Sequence, residues 1–172
     1  MKNFAIVLLF ILTFSFTAFG QRSKAVVVKP DAKKEVQAAF ERLTEGIRQA
    51  DAKKVMSVYE NSDRILFFNN NGTATIGWEN MRGNRESLYA KTKNVALDIT
   101  GLRVEMLGTS SAYVTCKWKQ RQEYDGKLES ASGRMTLVFR LVGKEWKVIH
   151  LHTSPDNPDP TRPVFSSERQ TQ

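Results

Sequence analysis

Residues Gly133–Ser154 read GRMTLVFRLVGKEWKVIHLHTS. Two strand-like runs, Arg134–Val142 and Trp146–Thr153, flank Gly143-Lys144-Glu145. Short apolar alternation interrupted by a glycine-led turn is the pattern of a β-hairpin. In the first run Met135, Leu137 and Phe139 alternate with Thr136 and Val138. In the second, strict alternation places His150 and His152 on one face together with Trp146 and Val148.

Upstream of the hairpin the pattern continues. Ala112–Tyr124 sets Val114, Cys116 and Trp118 against Thr115, Lys117 and Lys119, and Asp125-Gly126 turns it into Leu128–Ser132. Val95–Ile99 and Leu102–Leu107 alternate with a change of phase at Gly101, which predicts a bulge. Further back, Ile65–Phe68 is a short strand closed by Asn69-Asn70-Asn71-Gly72, residues that tolerate positive φ.

The N-terminal half is helical. Val36, Phe40, Leu43 and Ile47 recur at four, three and four residues, one apolar stripe on a helix of roughly 32–50 that Asp31 is placed to cap. Asp51 caps a shorter helix carrying Val55, Val58 and Tyr59. Gly77-Trp78 precedes a third, roughly Glu79–Lys93, with Met81, Leu88 and Tyr89 on one side and a weak point at Gly83. Helix, helix, strand, helix and then four or five antiparallel strands predict an α+β fold, with helices on one face of an antiparallel sheet.

This order resembles the SnoaL-like branch of the nuclear transport factor 2-like superfamily over about Lys33 to Pro155. The matching residues are Gly77-Trp78-Glu79, Val114-Thr115, and the final hairpin with Trp146, His150, His152 and Ser154. The resemblance implies a cone: a strongly curved antiparallel sheet packed against three N-terminal helices, with a pocket between the layers. Many members bind or transform apolar small molecules there. The residues it places in that pocket are Tyr59, Phe68, Trp78, Met81, Tyr89, Cys116, Trp118, Trp146, His150 and His152. The last strand also resembles the association domain of calcium/calmodulin-dependent kinases, a non-catalytic oligomerisation module. The arginine those domains keep in the penultimate strand falls here on Leu137.

No catalytic motif stands out. His150 and His152 are the candidate acid/base groups, since imidazole titrates near neutral pH. A shared metal would need a third protein ligand, and no Asp, Glu or Cys neighbours them in a recognisable motif, so neither metal nor cofactor is expected. Cys116, mid-strand, reads as a buried thiol rather than a nucleophile. The carboxylate base of ketosteroid isomerase-like enzymes would fall at Phe68 or Asn69, and the acid-donor strand carries Cys116 and Trp118, so that chemistry is not matched residue for residue. Asp63 and Asp98 are isolated carboxylates. Arg134 and Arg140 share one strand face, where surface salt bridging competes with an anion-binding role. Asn71-Gly72-Thr73 has the form of a glycosylation sequon and is expected to serve only as a turn.

Composition sets the address. Met1-Lys2-Asn3 is a positive start, Phe4–Phe19 an apolar run short for a span of about 20 residues, and Ala18-Phe19-Gly20 a small-residue exit. Residues 1–20 are therefore expected to be a cleaved signal peptide and 21–31 a leader. Residues 32–155 form one domain and 156–172 a Pro-rich polar tail. The expected location is bacterial periplasm or medium, with no stable membrane anchor. The lone Cys116 permits no intrachain disulfide, so a packed core must carry stability. The net charge of +8 is scattered as solvated pairs such as Lys53/Lys54 and Lys117/Lys119, which argues against nucleic acid as a partner. The expected partners are a second copy of the chain, because helices can cover only one face of so apolar a sheet, and a small hydrophobic ligand.

Overall fold

A computed structural model describes residues 31–156; the expected signal peptide, most of the leader and all but the first residue of the tail lie outside them. The long amphipathic stripe forms helix α1 (Ala32–Arg48), with Val36, Phe40 and Leu43 fully buried. Asp31 occupies the N-cap position, but its side chain makes no capping bond; its backbone carbonyl accepts from Glu35 N instead. Asp51 does cap helix α2 (Ala52–Ser57), accepting from Lys54 N at 2.9 Å. Strand β1 (Leu66–Phe68) turns through Gly72 into β2 (Ala74–Ile76), a strand the sequence pattern is too short to announce. Helix α3 (Trp78–Tyr89) runs through Gly83 unbroken.

Four long strands follow: β3 (Thr92–Met106), β4 (Ser111–Tyr124), β5 (Lys127–Val142) and β6 (Glu145–Pro155). The expected bulge sits at Gly101, where the β3–β4 register shifts between Thr100 and Arg103. Leu128–Ser132 and Arg134–Val142 are one continuous strand rather than two. The curved, unclosed sheet runs β2-β1-β6-β5-β4-β3. It is antiparallel except where β1 lies parallel to β6, pairing Leu66 with His150 and Phe68 with His152. Just before that, Val58–Glu60 holds the same edge of β6 through Val148 N to Val58 O (2.9 Å) and Glu60 N to Val148 O (3.0 Å).

All three helices pack on one sheet face. Val36, Phe40, Leu43, Val55 and Met81 close over Phe67, Val114, Leu137, Phe139 and Val148 in a single cluster. Fully burying one such side chain stabilises the fold by about 1.5–3 kcal/mol. Trp146 ties the layers by donating from Nε1 to Glu35 Oε2 of α1 at 3.0 Å.

One departure moves the candidate residues. Phe139 pairs with Val148 but Val138 with His150, so Ile149 is an extra residue, a β-bulge at the point where β6 changes edge partner. Trp146, Val148 and Leu151 face the core. His150 and His152 are thereby turned to the opposite, outer face, against the strict alternation expected of this strand.

Candidate functional site

An open groove of about 770 Å³ lies where the end of α1 meets strands β3–β5. Its apolar floor is Leu97, Ile99 and Trp118, with Arg48 beside them; Asp98, Thr100, Lys117, Lys119 and Ser132 border it but alternate to the other face of the sheet, and Asp156 lies at its end. Arg48, in the last turn of α1, is held there by donating from Nε to Leu97 O at 3.1 Å. Trp118 lies against Gly133, where a Cβ would come within 3.2 Å of its ring. Its Nε1 donates to Arg134 O at 3.3 Å. Asp156 faces Arg134 Nε at 3.7 Å. A flat apolar body against the indole, with a negative group toward Arg48, is the chemistry such a surface accommodates.

Of the residues expected in a pocket, only Trp118 lines this groove. Phe68, His150 and His152 meet instead on the outer sheet face, with Phe68 edge-on to both imidazoles at 5.7 Å and 43% exposed. Trp146, Met81 and Cys116 are core. Burial pushes the Cys116 thiol up to about 11, which keeps it protonated and unreactive at neutral pH. Trp78 is half-buried, donates from Nε1 to Met56 O at 3.3 Å, and carries Arg82 5.9 Å from its ring. Tyr59 is buried edge-on to Phe67 at 4.9 Å. Burial pushes its phenol up to about 12, against the pull of the Arg85 charge, with Tyr89 adding to the rise. Tyr89 is buried at the end of α3.

Arg134 and Arg140 share a face as expected. Arg140 reaches across β6 to both carboxylate oxygens of Glu60 (2.5 and 2.6 Å), beside a smaller pocket of about 230 Å³ that also includes Ile149. Among the described residues, no three His, Cys, Asp or Glu side chains are grouped to hold a metal ion. Sequence reasoning passed over Arg48, Leu97 and Ile99. The alternation of Leu97 with Ile99 was visible, but nothing local says that the end of α1 would come to lie beside it.

A protein-family comparison matches residues 36–158 to the SnoaL-like domain. Among solved structures, a nuclear transport factor 2-like superfamily protein from Salmonella enterica superposes with a TM-score of 0.68 at 17% identity, covering 77% of this chain and 96% of its own. A ketosteroid isomerase-like protein from Erwinia carotovora gives 0.64 at 16% identity, covering 76% and 100%. A candidate calcium/calmodulin-dependent protein kinase II association domain from Xanthomonas campestris gives 0.61 at 20%, covering 75% and 89%. At these identities the superpositions establish the fold. No curated protein matches the chain.

Proposed function

The chain belongs to the SnoaL-like family, and from that premise we propose that it is an exported small-molecule-binding protein that works as a homodimer. The ligand lies in the groove against Trp118. The observation that carries this is the groove itself: its volume is in the range of small-molecule sites, and it sets an apolar floor beside the Arg48 guanidinium. Export is supported by the apolar run and small-residue exit of residues 1–20. Dimerisation is supported by the outer sheet face, where half-buried Leu66, Thr136 and Val138 surround exposed Phe68 while the helices pack on the other side.

The rival is an acid–base enzyme of ketosteroid isomerase-like or polyketide cyclase-like type using His150 or His152. It has less support, because both rings stand across the sheet from the core face and outside the groove.

The test is native mass spectrometry of the protein purified gently from its producing cell. A dimer carrying a reproducible small mass is expected. Trp118→Ala should weaken its retention at least about tenfold, a loss of some 1.4 kcal/mol, and Arg48→Met should weaken an anionic ligand as well. Phe68→Asp should give a folded monomer. Retention unchanged in Trp118→Ala would refute the groove, and a wild-type monomer would refute the interface.

A further inference from the structure

Strand β5 is longer than the strand that covers it. On one side it pairs with β4 from Lys127, opposite Tyr124, to Arg140, opposite Ser111; on the other, β6 reaches back only to Gly133, opposite Pro155. The two-residue turn Asp125-Gly126 makes Tyr124 and Lys127 the closing hydrogen-bonded pair, so Lys127, Glu129 and Ala131 direct N–H and C=O toward β4. Leu128, Ser130 and Ser132 direct theirs the other way. Among the described residues only Ser132 O is used there, accepting from Asp156 N at 3.2 Å. Lys127–Ala131 is therefore an open sheet edge, and Leu128 on it is 89% exposed.

Continuing past Asp156 in the same register would set Pro158 and Pro160 against Ser130 and Leu128, and proline has no N–H to give. A strand from outside has one, and the edge is complementary to itself. Antiparallel pairing of two such edges must match even-numbered residues with even-numbered ones, because only these turn N–H and C=O outward. Setting Ser130 opposite Ser130 puts Leu128 opposite Ser132, a place Asp156 holds. Setting Leu128 opposite Ser130 brings the two Glu129 side chains face to face, and like charges directly opposite work against pairing. Setting Leu128 opposite Leu128 puts each Lys127 across from the other copy's Glu129 and stacks the two leucines. It also ends the incoming hairpin beside Ser130, just short of Asp156. We propose that Lys127–Ser130 is a self-association edge, where two copies join antiparallel with Leu128 opposite Leu128 and β3-β4-β5 continues across the contact. This edge is separate from the outer sheet face around Phe68, so copies paired through that face keep it free to link one dimer to the next.

The test uses the mature protein carrying Phe68→Asp, which removes the outer-face contact, in sedimentation velocity from about 10 μM to about 1 mM, because an edge this short holds weakly. A monomer–dimer equilibrium is expected toward the upper end of that range. Lys127→Glu or Glu129→Lys alone should weaken it at least about fivefold, and the two together should restore it to within about twofold, since the charges are exchanged and the pairing is kept. Ser130→Pro should abolish it by removing an N–H that bonds nothing among the described residues; where that variant fails to fold, the charge exchange decides. Amide hydrogen exchange at Leu128 and Ser130 should slow as concentration rises. No association at about 1 mM would overturn the proposal, as would single charge reversals that leave it unchanged. Amides already protected in dilute monomer would assign the edge to residues of this chain beyond Asp156 and overturn it as well. A wild type that is monomeric when dilute, with association persisting in Phe68→Asp when concentrated, would remove the outer-face dimer and leave this edge standing.

Discussion

The substitution Gly→Ala should have opposite signs at two positions of this chain. At Gly133 a Cβ would stand 2.0 Å from Ser154 O and 3.2 Å from Trp118 Cζ2. Ordinary contact begins near 3.4 Å, so the middle of β5 and the end of β6 would have to part by about 1.4 Å. Neither neighbour gives easily: the oxygen is backbone of a paired strand, and the indole is tied to Arg134 O. Overpacking typically costs about 1–3 kcal/mol, and an unyielding backbone puts Gly133→Ala near about 3. For a chain of this size that is a fall in melting temperature of roughly 6–12 °C. At Gly83, inside α3, nothing lies within 4 Å of the new Cβ. There Ala should stabilise by about 0.5–1 kcal/mol through helix propensity alone. Urea and thermal melts followed by circular dichroism and tryptophan fluorescence read both. A Gly133→Ala protein within about 0.5 kcal/mol of wild type would refute the close approach of β5 to β6 and the packing of Trp118 over it.

Two further outcomes follow from local geometry. Helix α1 ends with Ala50 at φ 50 and Asp51 N bonded to Gly46 O at 2.9 Å, a left-handed C-terminal turn that favours glycine, so Ala50→Gly should raise the urea midpoint by about 0.5–1 kcal/mol equivalent; a lower midpoint would contradict that geometry. The Cys116 thiol titrates from 9.0 when exposed to about 11 when folded; both states are protonated below pH 9, and between 9 and 11 the unfolded chain loses its proton first, so stability falls as pH rises through that window and Cys116→Ala should flatten the decline.

Features written into adjacent residues were legible, and features assembled from distant ones were not. The α1 stripe, the Asp51 cap and the Asp125-Gly126 turn (φ 50 and 78) are local, and each was visible in residue type. So was the bulge at Gly101, because glycine marks it. The bulge at Ile149 carries no such mark: a β-branched residue in an apolar run looks like plain strand, and the irregularity arises where Val58–Glu60 gives way to β1 along β6. That one hidden residue reversed the face of both histidines. The parallel β1–β6 pairing was likewise invisible, since three-residue β1 carries no information about direction. The groove draws on residues 48, 97–100, 117–119, 132 and 156, whose meeting depends on the curvature of the whole sheet.

The placement of β6 bears on how such a chain is made. Its eleven residues come last in the described fold, yet they lie mid-sheet, between β5 on one side and the segments Val58–Glu60 and β1 on the other. Thr153 Oγ1 donates to Phe68 O across a separation of 85 residues. Without β6, the β1–β2 hairpin has no partner and the core lacks Trp146, Val148 and Leu151. A growing chain therefore holds helices and a meander but no finished tertiary unit until nearly its end has emerged, and its folding is dominated by late, long-range pairing.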